Sequence, residues 1–463
     1  MDIGPAGKLS LCIPCRDCER VSNSAALALA IPLIGWAWLM RSTTGTWLHP
    51  GSFFSLWWCF AAILPLVLAP QEVVGPNAML WIIGACIAVS AGAVVGNMGL
   101  RTRLLVQPSP ATDREALLLG IAVTASVALG LASNVAFAIG SNVALSDLFD
   151  IQKLVIVSNQ LYVQRYGDVP PAPPALSQAL LPFVFFGPAL GGILFSLRTE
   201  KRWKFVATMT FVPAIVVTIL QTTKAAVLFA MVLWLSGYFA TRLRNGKLSV
   251  FTRRHVLIAG GLGGILAVFF FGVSLARMAS TDASLVDIVL AKLISSALGH
   301  MTVFSQWLAE YWSHPADPNL GKGIFIGPLE MLGYAHRQPG LFENAIDLVI
   351  GESSNIYTAF RPLIEDFTIP GALCVLAILG FVGGVGFRKV ASGRWSALPL
   401  LLIAYYTTMW TPITWFWTYN SLTATLVAVA IGVFIVRLWR GRAPMWYSAH
   451  ADDEQTVLTS REI

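Results

Sequence analysis

Runs of about twenty apolar residues recur along this chain, and an α-helix needs about that length to cross the ~30 Å hydrocarbon core of a bilayer. The pattern predicts about eleven spans, near 23–40, 51–69, 77–98, 116–138, 177–197, 205–220, 225–241, 256–276, 368–387, 396–414 and 418–436. Lipid offers backbone groups no hydrogen bonds, so these runs are expected as helices rather than open strands. The organisation is then an all-α polytopic membrane protein. It has a tail at 1–22, helices over 23–276 with an external segment at 139–176, a large external loop at 277–367, further helices over 368–436, and a cytoplasmic tail at 437–463.

The two long polar segments break the monotony. The first carries Asp147, Asp150 and Asp168 beside Phe149, Tyr162 and Tyr166, and closes on the stiff run Pro170-Pro171-Ala172-Pro173-Pro174. The second is long enough to expect a function of it. Within it Leu285, Ile288, Val289 and Leu293 recur at helical spacing, as do Phe304, Trp307, Leu308 and Trp312. Such stripes either lie along the membrane surface or pack on neighbouring helices. No internal repeat and no separate soluble domain is discernible.

Composition agrees with the pattern: 56% of residues are hydrophobic and only 12% charged, about half the charged share of a soluble domain. The net charge of +7 is not a nucleic-acid signal, because more than half of the 31 basic residues sit in short segments beside spans. The clusters are Arg101, Arg103 and Arg114; Arg198, Lys201, Arg202 and Lys204; Arg242, Arg244, Lys247, Arg253 and Arg254; Arg388, Lys389 and Arg394; and Arg437, Arg440 and Arg442. Positive residues favour the cytoplasmic side, so all five are expected there and both long segments outside. The N-terminus then falls outside if 23–40 and 51–69 are separate spans. Cys59, Cys86 and Cys374 lie in apolar runs and read as small core residues. Cys12, Cys15 and Cys18 have metal-like spacing but lack a fourth ligand nearby, and an ordinary tail is the competing reading. The first apolar run has no convincing cleavage site after it and reads as a retained span.

Chemistry is sought among charges on the expected outer side. Lys224 stands where one span ends and the next begins; it either snorkels to the interface or holds an anion with help from the following helix N-terminus. Arg277, Arg361 and Arg165 are external arginines near spans, which the positive-inside rule disfavours. Converging, they would clamp a pyrophosphate; separately, each would pair with a local acid such as Asp168, Asp282 or Glu365. Glu352, Glu365 and Asp366 flank the end of the long loop, and a carboxylate within reach of a sugar hydroxyl can act as its base. His300, His314 and His336 are alternative bases, or structural histidines. No H-x-x-H, D-x-D or G-x-x-x-x-G-K pattern stands in a suitable context, which argues against a metal-centred or nucleotide-using site.

The run Asn355-Ile-Tyr357-Thr358-Ala-Phe-Arg361-Pro-Leu-Ile-Glu365-Asp366-Phe367, followed by Gly371, resembles the segment before a late span in the oligosaccharide repeat-unit polymerases, the Wzy-type O-antigen polymerases. Thr368 stands where that family often has glycine. Thr222-Thr223-Lys224-Ala-Ala is similar to the family's Ser-Arg-containing helix start, with Lys224 keeping the charge but not the fork. Gly321-Lys322-Gly323-Ile-Phe325 looks like its glycine-rich loop stretch. The likeness spans most of residues 50–440. It implies a GT-C-like, metal-independent glycosyltransferase without a cofactor at the periplasmic face of the bacterial inner membrane. Its substrates would be undecaprenyl-pyrophosphate-linked glycans as donor and acceptor, its partners a chain-length regulator protein and membrane lipids. Lys224, Arg277, Arg361, Arg165, Asn355 and Tyr357 would bind substrate, and Glu352, Asp366, His300 or His336 would take the proton. An O-antigen ligase shares the donor and scaffold. A lipid-linked sugar transporter is the alternative of another class; its usual inverted repeats and charged mid-membrane helices are not discernible in the chain.

Overall fold

The computed structural model describes residues 16–98, 112–144, 146–147, 150–165, 173–221, 223–246, 248, 253–278, 284–335, 342 and 344–441. The expected residues Cys12, Cys15 and His336 lie outside these, as do the side chains of Cys18, Arg165 and Arg277. The described chain is almost entirely helical. In order it forms α1 (Arg16–Thr44), α2 (Pro50–Leu68), α3 (Pro76–Asn97), α4 (Asp113–Gly140), α5 (Ile151–Arg165), α6 (Ala175–Leu197), α7 (Lys201–Met209), α8 (Val212–Leu220), α9 (Ala225–Arg244) and α10 (Arg253–Met278). Then come α11 (Ser284–Leu298), α12 (His300–Ser313), α13 (Ile326–Met331), the two-residue strands β1 (Ile346–Asp347) and β2 (Ser353–Ser354), α14 (Phe360–Ala391), α15 (Leu398–Trp410) and α16 (Asn420–Gly441). Eight helical stretches among the described residues are long and apolar enough to cross a membrane, with α7 and α8 counted together. This is an all-α, multi-pass membrane protein.

Two faces follow from which helix ends meet. On one, Arg198 bonds Asp113 at 2.7 Å, Arg244 lies 3.6 Å from Glu115, and the Arg244 guanidinium sits 3.3 Å over the Trp395 ring. Thr46 donates to the Leu248 carbonyl on the same side, and Arg388 to that of Met98. On the other, Asn23 at the start of α1 bonds the carbonyls of Pro70 and Glu72, Gly75 donates to Ser305, and Ala359 donates to the Thr411 carbonyl. The described basic clusters therefore share one face, and the long loop shares the other with the N-terminal end of α1.

Glycines set the tightest crossings. Gly92 and Gly96 of α3 face Gly380 and Gly384 of α14. A Cβ on Gly92 would stand 1.9 Å from the Ala377 carbonyl oxygen, and one on Gly380 would stand 2.1 Å from that of Val89. Small residues four apart let helix backbones touch, which matters in lipid, where no hydrophobic force drives helices together. Gly192 of α6 meets the Trp234 carbonyl of α9 in the same way.

Several expectations are refined. The span expected at 205–220 is two helices broken at Thr210–Phe211, two residues before Pro213. The long loop contains helices of its own: α11 and α12 form an apolar pair bent by 60°. Phe304, Trp307 and Leu308 of the second stripe are buried and Trp312 is exposed, so that stripe mostly packs inward; in the first, Val289 is buried but Ile288 is exposed. Cys59 and Cys86 are buried, but Cys374 is exposed and is not a core residue.

Candidate functional site

The run Asn355 to Asp366 joins the long loop to α14, and its local geometry explains its composition. Thr368 interrupts α14 with φ 62°, ψ 175°, a region that glycine adopts freely and a β-branched residue does not. The break frees carbonyls of the preceding turns, and the partner expected for the Asp366 carbonyl, Pro370, has no N–H. The strap at 319–324 supplies the missing donors. Asn319 donates to the Glu365 carbonyl at 2.9 Å and Leu320 to that of Asp366 at 3.1 Å. Gly323 and Ile324 then donate their amides to Asp366 Oδ1 and Oδ2 at 3.0 and 2.7 Å. Gly321 turns the strap at φ +93°, and a Cβ on Gly323 would stand 3.1 Å from Asp366 Oδ1.

This alters the role of Asp366. Expected as a base, it is fully buried with both carboxylate oxygens bound to backbone amides. It anchors the strap.

Arg361 is the centre of the assembly. Its Nε donates to Glu365 at 2.7 Å, and its guanidinium carbon lies 4.0 Å from the Phe342 ring centre, 4.1 Å from that of Tyr357 and 5.5 Å from that of Trp307. Stacking of this kind holds a guanidinium flat and oriented. The local acid pairing considered for this arginine is thus present, with Glu365. Asn355 and Tyr357 brace the cage. Asn355 Nδ2 donates to the Phe342 carbonyl at 3.3 Å, and the Tyr357 hydroxyl donates to the Asn344 carbonyl at 2.7 Å. Burial holds the Tyr357 phenol above its usual range, with Arg361 pulling the other way, so it remains a donor.

The other expected residues stand on other segments. Glu352 is half-buried beside the hairpin of β1 and β2, where Ile346 pairs with Ser354 and Asp347 with Ser353. Lys224 is half-buried immediately before α9. His300 is buried, and its Nε2 bonds the Ala61 carbonyl of α2 at 3.0 Å. That carbonyl has no helical partner because residue 65 is proline. His300 repairs the gap and is a structural histidine, a correction to its reading as a base. His314 ends α12.

Sequence reasoning passed over three contributors. Phe342 and Trp307 build the arginine cage, though neither is polar. Glu72 is 3% exposed in the turn between α2 and α3. One of its oxygens accepts from Ile350 at 2.9 Å, tying the hairpin down, and the other has no protein partner. An acid in the seven-residue segment between two long apolar runs was the available signal. Beyond the strap, Asn420 of α16 bonds Glu330 at 3.2 Å and Phe325 packs 6.0 Å from Trp417. The strap therefore covers the break in α14, and the segment after it, through α13, packs on the start of α16. Along α15 and just after it the buried polar atoms Tyr406 Oη, Trp410 Nε1 and Thr414 Oγ1 have no protein partner. Among the described residues no group of three or more His, Cys, Asp or Glu is placed to hold a metal.

A multi-pass helical membrane protein with a braced, arginine-centred polar assembly where its long loop meets α14 is the class that this geometry defines. No family model, curated protein or solved structure matches the chain.

Proposed function

We propose that this protein is a polymerase of undecaprenyl-pyrophosphate-linked oligosaccharide repeat units, acting at the periplasmic face of the bacterial inner membrane. The observation that carries the reading is the Arg361 cage at the membrane end of the long loop, on the face opposite the basic clusters. In this reading eleven spans form a GT-C-like scaffold, with α10, α15 and α16 completing the eight longer crossings. The basic face is cytoplasmic by the positive-inside rule.

Arg361 has more donors than its contact with Glu365 uses, and with Lys224, Arg277 and Arg165 it would hold the donor's pyrophosphate. The acceptor hydroxyl attacks the anomeric carbon, the bond to the pyrophosphate oxygen breaks, and the electron pair leaves with the pyrophosphate. Cations already in place stabilise that developing charge. Direct displacement inverts the anomeric carbon. The hydroxyl proton goes to Glu352, since Asp366 and Glu365 are engaged by amides and by Arg361. The resemblance of the Asn355–Phe367 run to repeat-unit polymerases is the second support.

The deciding experiment is a gel of surface and lipid-linked glycans from cells lacking this chain. Single repeat units on the lipid A core, without a ladder, are expected. Long polymer stranded on its undecaprenyl carrier would overturn the reading in favour of a ligase, and an unchanged ladder would overturn both.

A further inference from the structure

A second site stands on the opposite face, between α4 and α7. Trp203 of α7 lies over Gly120 of α4, where a Cβ would meet its ring at 2.3 Å. Beyond that contact the two helices leave a groove of about 510 Å³, lined by Leu117, Ile121, Ala125, Ala128, Trp203 and Val206. Thr124 also lines it but spends its hydroxyl on the Gly120 carbonyl at 2.9 Å, so the lining is apolar. Leu117 and Ile121 are 53% and 57% exposed, and in a membrane-spanning helix that exposure is to lipid.

The groove has the depth of one leaflet. From Leu117 to Ala128 a helix rises about 16 Å, and half of a typical hydrocarbon core is about 15 Å. Its shallow end opens beside the basic face. There Arg202 is exposed, with its guanidinium carbon 5.2 Å from the centre of the Trp203 ring that walls the groove. Lys201 is exposed next to it. The nearby acids, Asp113 and Glu200, both turn to Arg198, at 2.7 and 3.7 Å. Lys201 and Arg202 thus stand without a carboxylate among the described residues, at the depth where a headgroup phosphate lies.

We propose that this groove binds one anionic phospholipid, with an acyl chain along Leu117 to Ala128 and the phosphate on Lys201 and Arg202. The apolar slot supplies depth, and the two cations supply the preference for negative charge. This inference is independent of the polymerase reading.

Native mass spectrometry of the full-length protein tests it, with palmitoyl-oleoyl phosphatidylglycerol and phosphatidylcholine offered in equal amounts. The wild type is expected to retain phosphatidylglycerol preferentially. Each cation contributes about fivefold, so Lys201→Gln with Arg202→Gln should remove the preference. Ala128→Trp, which fills the deep end from a lipid-exposed position, should lower retention of both lipids. Lys389→Gln with Arg394→Gln, in another basic cluster, should change nothing. A wild-type preference in the Lys201/Arg202 double variant overturns the proposal, as does its loss in the Lys389/Arg394 variant. Unaltered retention in Ala128→Trp overturns the acyl-chain placement.

Discussion

Asp366 and Thr368, two residues apart, divide one task. Thr368 accepts a backbone conformation that costs about 1–3 kcal/mol for a non-glycine residue, and the break it makes is what the strap binds to. Replacing it with glycine should relieve that cost, less about 1 kcal/mol for glycine's own entropy. Thr368→Gly is therefore expected to stabilise the protein by about 1 kcal/mol, read as a higher melting temperature in detergent. Asp366→Asn acts in the opposite sense. An amide side chain offers one acceptor where the carboxylate offers two, so one of the Gly323 and Ile324 amides loses its partner. A loss of about 1–3 kcal/mol is expected, together with faster proteolysis in the strap at 319–324. If stability is unchanged while transfer is abolished, Asp366 is a base after all. His300→Phe belongs beside these. It leaves the Ala61 carbonyl unpaired and should cost about 1–3 kcal/mol. A wild-type melting temperature in that variant would refute the structural role.

Among the elements, the crossing of α3 and α14 sets the position of the candidate site. Arg361 is carried on the first turn of α14, and α14 is held against α3 by glycines on both helices. A valine at Gly92 would drive its Cβ into the Ala377 carbonyl, and the helices must part. Overpacking of this kind typically costs about 1–3 kcal/mol. Gly92→Val is expected to lower the melting temperature and, by displacing α14, to lower activity as well. Gly264→Val serves as the control, because a Cβ there meets nothing within 4 Å. Equal loss from both substitutions would show that a valine in any of these helices, rather than the crossing, is responsible.

For the molecule as a whole, the two faces differ: the described arginines Arg198 and Arg244 pair with acids on one, and Arg361 is caged by rings on the other. Under the proposed function, Arg361→Ala and Lys224→Ala should each abolish chain growth while the protein still inserts, as read by the glycan ladder and by membrane-fraction blots. Arg361→Lys should restore little, since lysine has the charge but cannot fill the stacked, forked position between Phe342 and Tyr357. Normal ladders from both alanine variants would remove the phosphate clamp from consideration.

The sequence by itself determined the class of the molecule and the places of most of its long apolar helices. Those properties follow from local composition: twenty apolar residues must bury their backbone bonds in a helix, and that holds whatever the neighbours are. It also pointed to Asn355–Phe367 as a segment apart. What each residue there does was decided only by the fold. Asp366 reads as a free carboxylate until the strap, over forty residues earlier in sequence, is brought onto it. His300 reads as a possible base until α2 presents a carbonyl that Pro65 left unpaired. Arg361 reads as a lone charge until Phe342 and Trp307 close around it. Hydrogen-bond partners and ring stacking act over a few ångströms of space, and separation along the chain carries no information about them.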